Sequence, residues 1–295
     1  MLKECLEALD IKPNENYVDV TFGGGGHSNA ILALLDKGKL VAFDQDEDAK
    51  ANVPQNNKLV FIDQNFEFML HHLDYQGLLP VSGILADLGV SSHQFDEAER
   101  GFSFRFDDAA LDMRMNKDSG TSAATLLNEW PEAAIADVLY QYGELNNARA
   151  LAREIVHYRS HTTIITVGHL KDAIKKYTPK FGDYKFLAQV FQALRIEVNQ
   201  ELEVLKSFLL QVPKVLKPGG RLVVMSYHSL EDRLVKNFIQ AGNFNGEAEK
   251  DLYGNIQRPL QPVSRKVITA SASELEANPR SRSAKLRIAE KISSN

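Results

Sequence analysis

Residues 17–27, YVDVTFGGGGH, join a β-branched strand-like run to four consecutive glycines. Glycine lets the backbone turn sharply and lets a ligand touch the main chain, which any Cβ would prevent. Asp44 follows Gly26 by 18 residues and ends a second strand-like run, KLVAFDQD. An acid at about that distance, closing the next strand, is placed to accept hydrogen bonds from both hydroxyls of a ribose. Together these residues predict a nucleoside-containing ligand lying across the carboxyl ends of a parallel sheet. A glycine-rich surface loop is the plainer alternative. The strand before, the helical pattern after and the spaced acid argue against it.

Which nucleoside is a separate question. The pattern GxGxxG fails, because Gly23-x-Gly25 ends on Ser28 and Gly24-x-Gly26 ends on Asn29. No Lys-Ser or Lys-Thr pair follows the glycines, which argues against a phosphate-cradling loop. A dinucleotide places its pyrophosphate on the first helix N-terminus, whereas S-adenosylmethionine carries no phosphate. These departures lean towards S-adenosylmethionine and leave a nicotinamide-dependent dehydrogenase open.

The elements that must hold this chemistry alternate over the first ninety residues. YVDVTF, KLVAFDQD, KLVFIDQN and VSGILADLGVSS read as strands, separated by helical patterns; such repeats imply a parallel sheet covered by helices. Ligands in such sheets bind beyond the strands' carboxyl ends. That nominates the loops 23–28, 44–46, 64–66 and 87–94. From about Gly101 to Ile196 helical patterns dominate, with TTIITV the one convincing strand and Trp130, Tyr140 and Tyr142 read as core. Alternation then resumes: a long helix closed by Lys217-Pro218-Gly219-Gly220, the strand RLVVMSYH, and a helix with Ser229 as N-cap. Residues 243–263 read as loop, and KVITAS and SAKLRIAEKI as final strands. The organisation expected is a discontinuous domain of residues 1–104 and 197–295 interrupted by an inserted helical domain, 105–196.

Composition is that of an ordinary globular protein, 44% hydrophobic and 25% charged. The single cysteine, Cys5, excludes an internal disulfide and fits a reducing compartment. No secretory signal and no membrane-length apolar run is evident, so a cytoplasmic protein is expected. Net charge is −5, yet residues 257–291 carry eight basic residues, Arg265 and Lys266 among them, against three acidic ones. That segment is therefore +5 and the remainder −10. A local basic stripe serves phosphate contact even on an acidic protein; a solvated charged tail is the alternative. The eight histidines and one cysteine show no metal-ligand spacing, and no metal is expected.

The segments TFGGGGHS, AFDQD, DLGVSSHQFDEAERGFSFRFD, LDMRM, FQALRIEVNQEL, LKPGGRL, SYHSLEDR and NPRSRSAKLR occur in one order from residue 21 to 287. In these the chain resembles the bacterial small-subunit ribosomal RNA cytosine-N4 methyltransferases, the RsmH/MraW group. The resemblance implies an α/β fold: a Rossmann-like class I S-adenosylmethionine-dependent methyltransferase sheet with an inserted α-helical substrate-recognition domain. It implies S-adenosylmethionine as cofactor and a cytidine of 16S rRNA in the small ribosomal subunit as acceptor. A non-catalytic ribosome-assembly or RNA-binding module is the second alternative, and monomer and homodimer are equally open.

Carried over by motif, the donor contacts are Gly25, Gly26, His27, Asp44, Phe66, Asp87 and Gln94. Each has a plainer reading: His27 as a helix cap, Asp44 as N-cap of a helix near Asp48, Phe66 as core. The candidates at the reacting end are Asp87, Ser91 and Ser92 in the loop after the fourth strand, and His228, which with Asp232 contacts the base or braces its loop. The phosphate contacts implied are Arg280, Arg282, Lys285 and Arg287, helped by Arg100 and Arg105. Asp112 and Arg114 are expected to pair, over the donor or as a surface bridge. The chain departs from the family at Ala109-Ala110, where Gly-Pro is common, and in opening at MLKECLEAL without a short His-containing stretch.

Overall fold

The computed structural model describes residues 1–118, 120–264 and 266–293. Its strands are β1 (Tyr17–Asp19), β2 (Leu40–Phe43), β3 (Leu59–Ile62), β4 (Val81–Asp87), β5 (Leu216–Ser226), β6 (Leu260–Pro262), β7 (Ile268–Thr269) and β8 (Lys285–Lys291). They form one eight-stranded sheet in the order β3-β2-β1-β4-β5-β8-β6, with β7 paired to β8. β1 to β5 run parallel, and β8 runs antiparallel to β5, β6 and β7. This is the doubly wound α/β architecture expected, with an antiparallel edge. Sheet growth reverses between β1 and β4, which makes their carboxyl ends the crevice where such sheets bind ligands.

β4 is buried from Val81 to Ala86, as a parallel strand covered on both faces must be. Alternate residues point to opposite faces. Val18, Ile84, Ala86 and Val224 meet one set of helices; Tyr17, Leu85, Val223 and Met225 meet the other. The first face is covered by α3 (Met69–Tyr75), α10 (Glu201–Val215) and α11 (Ser229–Ala241), through Met69, Leu73, Phe208 and Phe238. The second is covered by α1 (Leu2–Leu9) and α2 (Gly26–Leu34), through Cys5, Leu9, Ile31 and Leu32.

The chain divides into two compact units, Met1–Gly89 with Leu202–Asn295, and Val90–Glu201. The second is helical: α4 (Ser92–Asp96), α5 (Ala123–Glu129), α6 (Glu132–Gln141), α7 (Ala148–Arg159), α8 (Val167–Ile174) and α9 (Asp183–Val198). It begins at Val90 because Val90, Phe102 and Phe104 pack into its own core. Trp130 and Tyr142 pack there too, whereas Tyr140 is 62% exposed. The strand expected at TTIITV is reduced to a bridge between Ala110 and Thr166.

Three other local expectations are corrected. β6 lies inside the stretch read as loop, where its alternation was too short to register. Lys217–Gly220 does not separate helix from strand, since β5 starts at Leu216 and absorbs the glycines through an irregular pairing with β4. The N-cap of α11 is His228, whose ring accepts from the Glu231 amide, and not Ser229. No helix among the described residues is long and apolar enough to cross a membrane.

Candidate functional site

The glycine loop leaves β1 and is fixed by the second strand. The Gly23 amide donates to Asp44 Oδ2 at 2.7 Å, and the Asp46 amide donates to Asp44 Oδ1 at 2.9 Å. Both carboxylate oxygens keep lone pairs for further donors. Asp46, not Asp44, caps the turn that follows, accepting from Asp48. Burial pushes the Asp44 carboxyl above its usual range against the pull of those amides. Gly25 has φ +76°, and a Cβ there would lie 3.0 Å from the Phe22 ring. Gly24 and Gly26 differ: a Cβ on either would meet nothing within 4 Å. The protein itself makes no use of that space.

β1 and β4 deliver two acids to the crevice. Asp87 is held at three points: its amide donates to Thr21 Oγ1 at 2.7 Å, Tyr227 Oη donates to its Oδ1 at 2.9 Å, and His27 Nδ1 lies 3.6 Å from its Oδ2. Burial raises the Asp87 carboxyl to about 6, against the Tyr227 hydrogen bond. Burial lowers His27 to about 4, so it is neutral at pH 7 and the contact with Asp87 is not an ion pair there. His27 Nε2 is buried with no hydrogen-bond partner, which is costly unless a ligand supplies one. Asp19 is fully buried and accepts from Ser28 Oγ at 2.7 Å and the Thr21 amide at 3.1 Å; burial raises it to about 7.

Asp19 and Tyr227 were missed at the sequence level. An acid inside the apolar run YVDV was a usable signal for the first. Tyr227 had none, since its partner is 140 residues away.

A model of the MraW methylase family matches residues 1–292. The chain belongs to that family. It is similar to proteins named ribosomal RNA small subunit methyltransferase H. That of Parabacteroides distasonis is 55% identical over 294 residues, covering 99% of this chain and 96% of that one. Those of Flavobacterium johnsoniae and Bacteroides fragilis are 54% and 53% identical, at the same coverage. A MraW methylase is an S-adenosylmethionine-dependent methyltransferase, so the dehydrogenase and non-catalytic alternatives lose their support.

The residues present fit that donor. The space above Gly24 and Gly26 is a cradle that a Cβ would fill, and Asp44 has acceptor capacity to spare. The orphaned His27 Nε2 and the first turn of α2, whose cap Gly25 has no side chain, offer polar groups to the methionine portion. In this MraW methylase Gly25, Gly26, His27, Asp44 and Asp87 thus gather at the carboxyl edge of the sheet. Phe66 is half-buried and meets Phe208 edge-on, with ring centroids 5.4 Å apart, so it is part of the core of its face.

Ser91 and Gln94 belong to the helical unit and form a capping box. The Gln94 amide donates to Ser91 Oγ, and the Ser91 amide donates to Gln94 Oε1. Their side chains therefore open α4; Ser92 is its first residue, and its side chain lies outside what is described. His228 caps α11 with Nε2 3.1 Å from Glu231 Oε1, within ion-pair distance but not aligned as a hydrogen bond. That supports the bracing role for His228.

Asp232 braces likewise. It takes Arg287 on both oxygens, at 2.6 and 3.1 Å, and Lys285 at 3.3 Å. Burial works to raise this carboxyl, but Arg287 and Lys285 outweigh it and hold it below the usual range. Arg287→Ala is expected to cost about 2–3 kcal/mol of stability, less than a fully broken buried pair because Lys285 remains; urea unfolding measures it. Arg280 and Arg282 are exposed on the turn Pro279–Ser283. Arg100 is buried, donating to the carbonyls of Arg114 and Met115, so it does not reach a phosphate. Arg105 is exposed and pairs with Asp96 at 3.3 Å. Asp112 and Arg114 pair at 2.8 Å. Arg265 lies outside the described residues.

Proposed function

We propose that this methyltransferase moves a methyl group onto the exocyclic N4 of a cytidine in 16S rRNA of the small ribosomal subunit. The relatives named for small-subunit rRNA support the acceptor. The observation that carries the donor half is the edge where Asp44, the empty space over Gly26 and the bound-up Asp87 converge. An rRNA substrate would put the enzyme in the cytoplasm.

The donor supplies, when bound, a methyl group on a sulfonium, which is already an activated electrophile. The chain's own work is therefore positional. Asp44 binds the ribose through lone pairs left free by the Gly23 and Asp46 amides. Gly25, Gly26 and His27 admit the methionine portion. Phe66, from the edge of its core, completes the adenine surroundings. The amine lone pair of cytosine is delocalised into the ring, so it must be localised and aimed. Asp87 is the candidate to accept from N4. Such positioning can contribute up to about 7–11 kcal/mol. The base must be splayed from its stack to be reached. The helical unit serves as the substrate-recognition domain, and Arg280 and Arg282 contact phosphate, with Lys285 and Arg287 adding charge while held by Asp232.

Incubation with labelled S-adenosylmethionine and small subunits lacking the mark should place label in N4-methylcytidine; its absence there rejects the reading. Asp44→Ala removes acceptors from a charged site, where each hydrogen bond is worth about 1.5–3 kcal/mol. Donor binding is expected to weaken roughly 10- to 150-fold by that scale. Calorimetry that found no change would take Asp44 out of the site.

A further inference from the structure

The helical unit exposes aromatic rings that its own fold does not need. Phe181 is 94% exposed and Tyr184 is 65% exposed, just before and within the first turn of α9. They are three positions apart in the chain, so their Cα atoms lie at most about 11 Å apart. Large exposed apolar groups that cluster mark interaction sites more often than single ones do. Here the backbone is committed to the display: Gly182 caps α9 at φ +76°.

Tyr184 is also anchored from below. Its ring stands edge-on to Phe104 at 4.9 Å, and Phe104 meets the buried Phe191 at 5.5 Å. The tyrosine ring is thus held against the core on one side while the residue remains two-thirds exposed. Next along the chain, the Arg105 guanidinium lies 5.6 Å from the Phe106 ring and 5.7 Å from the Phe95 ring.

The surrounding charge selects the partner. Residues 175–185, KKYTPKFGDYK, hold four lysines against one aspartate. Lys176 is engaged by Glu154 at 2.6 Å. Lys180 and Lys185, which flank the two rings, are exposed and have no ion pair among the described residues. Rings that present a free face between cations match single-stranded nucleic acid. There, bases stack on aromatics without regard to sequence, and lysines neutralise the backbone. An apolar protein partner would not call for the lysines.

We propose that Phe181 and Tyr184, flanked by Lys180 and Lys185, form a stacking platform for unpaired nucleotides of the rRNA substrate. This deepens the function proposed above and rests on it. It assigns the contact to one surface of the helical unit and to a mode of binding: stacking first, phosphate second.

The test uses the full-length protein and a fluorescein-labelled, unstructured 12-nucleotide RNA, read by anisotropy over a range of salt. Phe181→Ala/Tyr184→Ala is expected to weaken binding about 10- to 100-fold, with the salt slope unchanged. Lys180→Ala/Lys185→Ala should instead make the slope shallower by about 1.4, the contribution of two single-strand phosphate contacts. Tyr184→Phe keeps the ring and should bind within about twofold of the parent. All variants should retain parental donor affinity, and Phe181→Ala and Lys180→Ala/Lys185→Ala, whose side chains are in solvent, should also retain the parental melting temperature.

Parental RNA affinity in the double aromatic variant, or no saturable RNA binding by the parent, overturns the platform. Loss of binding to a ribosomal protein with RNA affinity intact would overturn it too, in favour of a protein-docking surface. The underlying function stands or falls separately, on whether the parent labels small subunits.

Discussion

Gly26→Ala is expected to leave folding intact, or improve it by about 0.5–1 kcal/mol, while weakening S-adenosylmethionine binding roughly 5- to 150-fold. Gly26 is the first residue of α2 and does not have positive φ. Alanine in a helix is favoured over glycine by that amount. The new methyl group meets no protein atom within 4 Å. Any loss of affinity therefore reports the ligand alone. Forcing a methyl group into a close contact costs about 1–3 kcal/mol, or 5- to 150-fold. Gly25→Ala is the control with the opposite logic. Its φ of +76° and the Phe22 ring at 3.0 Å strain the apo fold itself. Thermal unfolding without donor, set against calorimetric titration with it, separates the two. Unchanged donor affinity in Gly26→Ala would show that the ligand does not lie over that backbone.

Tyr227→Phe is expected to change the pH dependence of donor binding and not only its strength. The role proposed for Asp87 is to accept hydrogen bonds as a carboxylate, but burial has raised it to about 6. Below that pH a proton competes with the donor, and affinity should fall about tenfold per unit; above it, affinity should level off. Several groups face Asp87, the buried Asp19 carboxyl among them. His27 is neutral, the Tyr227 hydroxyl donates to Oδ1, the Glu231 charge raises the carboxyl, and the amino group of Met1 lowers it. Removing the hydroxyl takes away a contribution that favours the carboxylate, so the fall should begin at higher pH. The variant should bind nearly as the parent does at pH 8 and fall behind it towards pH 6.5. A constant ratio across the range would mean that Tyr227 only packs.

Linkage gives the same carboxyl a second signature. Its folded value lies above the unfolded one, so between about pH 4 and 6 the folded state holds a proton that the unfolded state has released. Its contribution to apo stability therefore falls as pH rises through that window, and the fully buried Asp19, raised to about 7, extends the fall towards neutrality. Asp19→Asn should flatten the decline in melting temperature between pH 5 and 8. A decline as steep as the parent's would mean that Asp19 does not titrate in that range.

Much of the proposed donor edge was legible in the chain because its parts are local. Glycines 23–26 and Asp44 flank single strand-helix steps, and the period of a strand and the reach of a turn relate them without the rest of the fold. The parallel strands announced themselves as short, mostly apolar runs, which two-sided burial makes sense of. Where a side chain serves locally, as Ser91 and Gln94 do in capping α4, the same residues admit a structural reading and a functional one. Geometry is needed to see the cap.

By itself, then, the order of residues determined the doubly wound class, the glycine loop, the acid that closes the second strand, and membership of a methyltransferase family. Those follow from short-range rules and from motifs in sequence order. Only the tertiary structure decided who partners whom across long separations. Arg287 and Lys285, read as free cations, are claimed by Asp232 more than fifty residues earlier. Tyr227 reaches back to Asp87, and Asp19 is sealed under α2. A charge's role depends on the nearest opposite charge and on how much water remains around it. Neither quantity exists until β5 and β8 are laid side by side.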